Sequence, residues 1–160
     1  MFEIRRRARQ LAAVALLPLL GACLESPEEI QLAEVPCTFT FSDDTASMTQ
    51  TSTGLYVRDL TVGTGDVVSP GSEVFVHYRG WLLSDGTRFD ENLPANSFPF
   101  SFTTGAGFVI AGFDQGVNGM RVGGCRLIAI PPSLGYGAAQ NGSIPPNSWL
   151  VFEVGVAASL

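Results

Sequence analysis

The chain of 160 residues suits one domain with additions, and its nine cations, all arginine, face 15 carboxylates for a net charge of −6. Without residues 1–22, 14 acids face five arginines, a net charge near −9; such a surface repels nucleic acid and anionic membranes rather than binding them. A single histidine, His77, and cysteines at no zinc-site spacing argue against a metal centre.

Residues 1–22 read as an export signal. Arg5-Arg6-Arg7-Ala8-Arg9 is a basic start, and Leu11 to Leu20 is an apolar run too short to cross a bilayer as a stable helix. Leu20-Gly21-Ala22-Cys23 has the form of a bacterial lipobox, so cleavage before Cys23 and lipidation of its thiol are expected. An ordinary cleaved signal peptide with a chance cysteine is the alternative, and both imply export to the cell envelope. Leu24 after Cys23 favours outer-membrane sorting, and membrane contact comes only through the lipid anchor.

Residues 23–52 form a tether and N-terminal extension. Glu25-Ser26-Pro27-Glu28-Glu29 is a polar spacer. Cys37-Thr38-Phe39-Thr40-Phe41 alternates like a short strand, with Ser42-Asp43-Asp44 as a turn behind it. Cys37 and Cys125 share an oxidising compartment once exported, which favours a disulfide over two free thiols.

Residues 53–160 carry the compact domain. Leu55 to Leu60 reads as a strand and Gly63-Thr64-Gly65-Asp66 as a turn. Glu73 to Tyr78 alternates strictly, with Val74, Val76 and Tyr78 on one face and Phe75 and His77 on the other. Asp85-Gly86 signals a hairpin, and Pro99 to Phe102 a short strand. Phe113, Val117 and Met120 recur at helical spacing, against three glycines (Gly112, Gly116, Gly119) that each cost about 1 kcal/mol in a helix interior. Arg126 to Ile130 and Trp149 to Val156 supply the last strands. The pattern predicts an α+β architecture, an antiparallel sheet with one short helix.

Five segments carry a resemblance. Val76-His77-Tyr78-Arg79-Gly80-Trp81, Asp85-Gly86-Thr87-Arg88-Phe89-Asp90, Val109-Ile110-Ala111-Gly112-Phe113, Tyr136-Gly137-Ala138-Ala139 with Ile144-Pro145-Pro146, and Leu150-Val151-Phe152-Glu153-Val154 occur in that order. Together they resemble the FKBP-type peptidyl-prolyl cis-trans isomerases along one whole domain. The resemblance implies a twisted antiparallel sheet of five to six strands wrapped around one short helix, and no cofactor. It also implies a pocket of Tyr78, Phe89, Asp90, Phe100, Val109, Ile110, Phe113, Tyr136, Ile144 and Phe152. Phe89, Phe100 and Phe152 would be apolar walls, with Phe113 beneath a proline ring and Val109 and Ile144 completing the lining. The Ile110 N–H and the Tyr136 hydroxyl would donate to substrate carbonyls, and Asp90 would sit at the rim beside Tyr78.

Such a site needs no dyad or metal. Rotation about X–Pro meets a barrier of about 18–20 kcal/mol because amide resonance is lost on twisting. The twisted amide has less charge separation, so an apolar, water-poor pocket favours it over the planar form. The implied partners are proline-containing polypeptides. Phenylalanine at 113, where many members carry tryptophan, implies weaker binding of macrolide inhibitors. Glu91-Asn92-Leu93-Pro94-Ala95-Asn96 lacks the arginine that many members place opposite the aspartate, and the loop before Ile144 is about one residue short. A proline-peptide-binding chaperone with weak or no catalysis is the competing reading, and a monomer is expected in either case. His77, opposite Tyr78, reads as structural.

The strand alternation puts Phe75, Leu127 and Trp149 on the outer face of the sheet, with Cys125 in phase with Leu127. Residues 37–41 are therefore expected to lie across that face, bonded to it through Cys37–Cys125 and covering an apolar patch.

Overall fold

The computed structural model describes residues 30–95 and 97–160; the expected export signal, Cys23 and the spacer through Glu29 lie outside the described residues. The strands are β1 (Thr49–Gln50), β2 (Tyr56–Thr61), β3 (Glu73–Leu82), β4 (Arg88–Asn92), β5 (Phe100–Thr103), β6 (Cys125–Ile130) and β7 (Leu150–Ser159). They form one antiparallel sheet in the order β1-β2-β6-β7-β3-β4, with β5 off that path and, among the described residues, paired to β3. The sheet has seven strands rather than five or six. The extra one, β1, is two residues of the N-terminal extension, pairing as Thr49↔Val57 and Gln50↔Tyr56.

Hydrophobic alternation decides which side of the sheet is filled. Val74, Val76, Leu82, Ile128, Ile130, Leu150, Phe152, Val154 and Val156 point to the face covered by α1 (Ala111–Val117), the one α-helix among the described residues. Gly112 and Gly116, unfavourable for an isolated helix, are what let α1 lie against β6. A Cβ at Gly112 would stand 2.3 Å from Ile130 Cγ2, and one at Gly116 2.6 Å from Ile128 Cδ1. Burial against β6 thus outweighs local propensity. The helix is shorter than the Phe113–Val117–Met120 spacing suggests. It ends at Val117 and Gly119 has φ +77°, so Met120, though buried, lies outside it. Arg126 on β6 closes the helix end: its guanidinium donates to the Gly116 and Asn118 carbonyls while pairing with Asp59 on β2.

Residues 37–41 cover the outer face but form no strand. β7 is central and its ladder is filled by β3 and β6, so the segment can only lie on top of it. Its backbone donors go instead to a side chain, with Thr38 N–H reaching Glu153 Oε1 at 2.8 Å and Thr40 N–H reaching Oε2 at 2.9 Å. Phe39, between them, takes φ 53° and passes its carbonyl to the Arg79 guanidinium at 2.8 Å. The Cys37–Cys125 disulfide, over a sequence separation of 88, fixes the start of this strap. Gly155 makes room for it, since a Cβ there would lie 2.6 Å from Val35 Cβ and 2.9 Å from Cys37 Sγ. Phe41 ends the strap against Trp81, with ring centroids 6.1 Å apart. Beyond it, Met48 and Tyr56 pack on Leu127, Ala129 and Val151, a second small core. Phe75 meets Phe98, and Trp149 meets Tyr56 while remaining partly exposed. His77, also on this side, is buried with Nδ1 2.9 Å from Asn92 Oδ1.

Opening the Cys37–Cys125 bond by Cys37→Ser with Cys125→Ser should lower unfolding free energy by about 4 kcal/mol in the chain-entropy account. Urea unfolding of the variant beside the oxidised protein measures this. With the disulfide intact, Glu153→Ala strands two strap N–H groups and should cost about 1–3 kcal/mol in the same assay.

Candidate active site

The concave side of the sheet opens into a cavity of about 470 Å³ between β3, β4, β5, β7, the start of α1 and the loop after β6. Tyr78, Asp90, Phe100, Phe108, Val109, Ile110, Phe113, Tyr136 and Phe152 line it. Eight of the ten residues expected from the sequence therefore surround one space. Phe89 and Ile144 do not line it. Phe89 stands edge-on to Phe152 at 5.4 Å and supports that wall, and Ile144 is 5% exposed within the main core.

The floor is an aromatic cluster. Phe113 meets Phe152 at 5.1 Å and Tyr78 at 5.6 Å, all near perpendicular, the geometry that ring quadrupoles favour. Phe113 is in place because it stands in the first turn of α1, whose N-cap is Ile110. The Ile110 carbonyl accepts from the Phe113 and Asp114 N–H groups, while its own N–H bonds to no backbone carbonyl of the described residues. That leaves a donor at the cavity edge, as the first N–H groups of a helix do.

The polar groups are few. Tyr78 O–H donates to Asp90 Oδ2 at 2.8 Å, and Glu91 N–H donates to Asp90 Oδ1 at 2.9 Å. These two donors stand where the sequence offers no arginine; Arg88 and Arg79 both pair with Glu91 instead. Burial, then the hydrogen bond to Asp90, raises the Tyr78 phenol far above its ordinary value of 10. Burial, then the charge of Asp90, raises Tyr136 as well. Both hydroxyls are protonated donors at neutral pH.

Two contributors were not anticipated from the sequence. Phe108 lines the cavity yet is 77% exposed. A large apolar residue after Gly105-Ala106-Gly107, in a polar-length loop leading to Val109-Ile110, was the signal available for it. Asp114 is the other: buried in α1, it accepts the Gly105 N–H on both carboxylate oxygens, at 3.0 and 2.8 Å. This clamps the loop that carries Phe108 and Val109 onto the helix that carries Phe113. Nothing local marks an aspartate in a first turn as a loop anchor.

The segment order and the fold are those of the FKBP-type family, and comparison with known proteins agrees on the family. The family described as FKBP-type peptidyl-prolyl cis-trans isomerase matches residues 65–157. A curated FK506-binding protein of Neisseria meningitidis serogroup B is 46% identical over 102 residues, 63% of this chain and 92% of that protein. Peptidyl-prolyl cis-trans isomerase FKBP53 of Arabidopsis thaliana is 50% identical over 104 residues, 63% of this chain; the aligned part spans only 21% of that longer protein. The crystal structure of FkpA from Escherichia coli superposes with a TM-score of 0.63 at 36% identity, covering 70% of this chain and 51% of that one. The chain belongs to the FKBP-type peptidyl-prolyl cis-trans isomerase family.

Because the folded state binds the Tyr78 and Tyr136 protons more tightly than the unfolded chain, both phenols contribute stability that is complete below about pH 10 and lost as pH rises beyond it. Isomerisation should accordingly stay flat from about pH 6 to 9 in a pH–rate profile, with no tyrosine limb in that range. Asp114→Ala should lower kcat/KM for an X-Pro peptide about three- to tenfold through misplacement of the 104–108 loop, read in a peptide isomerisation assay.

Proposed function

We propose that this isomerase acts on X-Pro bonds of exported polypeptides in the cell envelope or in secretion, through non-covalent stabilisation of the twisted amide. The observation that carries the mechanism is the aromatic floor of Tyr78, Phe113 and Phe152, met by only three polar groups of the lining side chains: Tyr78, Asp90 and Tyr136. A proline ring seated on Phe113 is held by apolar contact, and its preceding carbonyl rotates out of conjugation in a space that offers little solvation to the planar, charge-separated amide. The Ile110 N–H and the Tyr136 hydroxyl, kept protonated by burial, donate to substrate carbonyls and fix the direction of twist. Asp90, bonded by Tyr78, orders the rim. No proton is transferred and no covalent bond is formed.

Export is supported by the arginine cluster and apolar run of residues 5–20 and by the Cys37–Cys125 disulfide, a bond suited to an oxidising compartment. The protein is then lipidated on Cys23, faces the periplasm from the outer membrane, and works as a monomer. Glu25-Ser26-Pro27-Glu28-Glu29 serves as the polar spacer between lipid and domain. Macrolide inhibitors of the FK506 type bind weakly, because phenylalanine at 113 offers less area than tryptophan.

A second reading is a proline-peptide-binding chaperone, favoured by the exposure of Asp90 and by the lack of an arginine in the loop 91–96 that follows it. Cis-to-trans isomerisation of a short X-Pro peptide by residues 24–160 separates the two. Acceleration that falls at least tenfold in Tyr136→Phe, Asp90→Ala is expected; peptide binding without acceleration by the folded protein selects the chaperone. Radiolabelled palmitate incorporation into the full chain, lost in Cys23→Ala, is the expected result for the anchor.

A further inference from the structure

Phe108 and Phe100 each have two sides. One side of the pair lines the cavity described above; the other lines a second cavity of about 460 Å³, with Glu73, Ser101, Phe102 and Thr103. Phe108 is 77% exposed and Phe100 37%, an uncovered apolar ridge between two concave spaces. The second space runs along β5, whose one ladder partner among the described residues is β3, so its other edge carries no ladder from those residues. An exposed phenylalanine held in a clamped loop does nothing for the core, and the Asp114–Gly105 bonds fix it there.

We infer that the second cavity is an extended subsite for the same polypeptide, receiving a bulky apolar side chain a few residues away from the isomerised proline. This rests on the isomerase reading and adds a substrate class to it: proline segments bearing an aromatic or large aliphatic residue at a distance, as unfolded strands of exported proteins do. The occupant follows from continuity, since the two cavities share the Phe100–Phe108 wall. Extended chain advances about 3.3 Å per residue, so crossing a wall one aromatic ring wide takes about two residues. A residue adjacent to the proline remains in the first cavity; one two to four positions away reaches the second. The edge of β5 away from β3 lies beside that path, and exposed strand edges accept extended chain.

Three peptides with identical residues next to the proline test this: a short one, one extended by four residues on each side with phenylalanine at the third position, and the same extension with serine there. Wild-type protein should turn over the phenylalanine peptide about five- to tenfold better in kcat/KM than the serine peptide. Phe108→Ala, a change at an exposed position, should reduce that ratio to below about twofold, whatever it does to the short peptide. Fluorescence anisotropy with the same labelled pair should show the same preference in Kd. No phenylalanine preference in either measurement, with the short peptide turned over normally, overturns the subsite and leaves the isomerase intact. A preference that survives Phe108→Ala unchanged also overturns it. If the short peptide is not turned over, the isomerase reading fails, and the anisotropy ratio alone decides whether the second cavity binds.

Discussion

The pairing of β3 with β7 is the constraint on which the rest depends. It runs from Val74↔Ser159 to Leu82↔Leu150, the longest ladder in the sheet, with both strands in its interior. Because side chains alternate along a strand, one register serves two faces at once. Tyr78 and Phe152 project inward to the cavity, while Arg79 and Glu153, each one residue further on, project outward to the strap. A one-residue slip would exchange them, placing charges in an aromatic floor and rings in contact with the strap. Site and strap are therefore two products of a single register.

The outer side of that register departs from ordinary sheet economy. A carboxylate only 1% exposed sits at the centre of the sheet, compensated by two backbone N–H groups of the strap. A buried polar group without partners is expensive, so the strap and Glu153 stabilise each other, and the disulfide ensures that they meet. The strap is thus part of the domain's architecture rather than a passive spacer, although it contributes no ladder. On the inner side the opposite economy applies. Charge is kept at the rim, and the floor is built from rings whose edges meet faces, leaving few groups to solvate a planar amide.

Most of the site was legible because its residues sit on strands or at a helix start, where periodicity gives direction. Tyr78, Phe100 and Phe152 alternate toward the core side, and Phe113 follows Ile110 into the helix. Phe89 and Ile144 share that apolar chemistry, and sequence cannot distinguish a wall from the residue behind the wall. Phe89 packs edge-on against Phe152, and of the two only Phe152 lines the space. The lone phenylalanine of a glycine-rich loop, Phe108, has no periodicity to reveal it, and its position depends on a bond from Gly105 to Asp114 made across a turn of chain. The helix was obscured for the converse reason: glycines that argue against a helix in isolation are required by the close approach of β6.

By itself the sequence determined the α+β class, the inward and outward faces of each long strand, and the chemistry of a proline-sized apolar site, because these follow from side-chain period and residue type. Only the tertiary structure decided which aromatics touch the cavity, that residues 37–41 cross the outer face without forming a strand, and that Glu153 rather than a neighbouring backbone takes their N–H groups. Those outcomes depend on which ladder is already full and which ring stands in front, and such facts exist only once distant segments occupy the same volume.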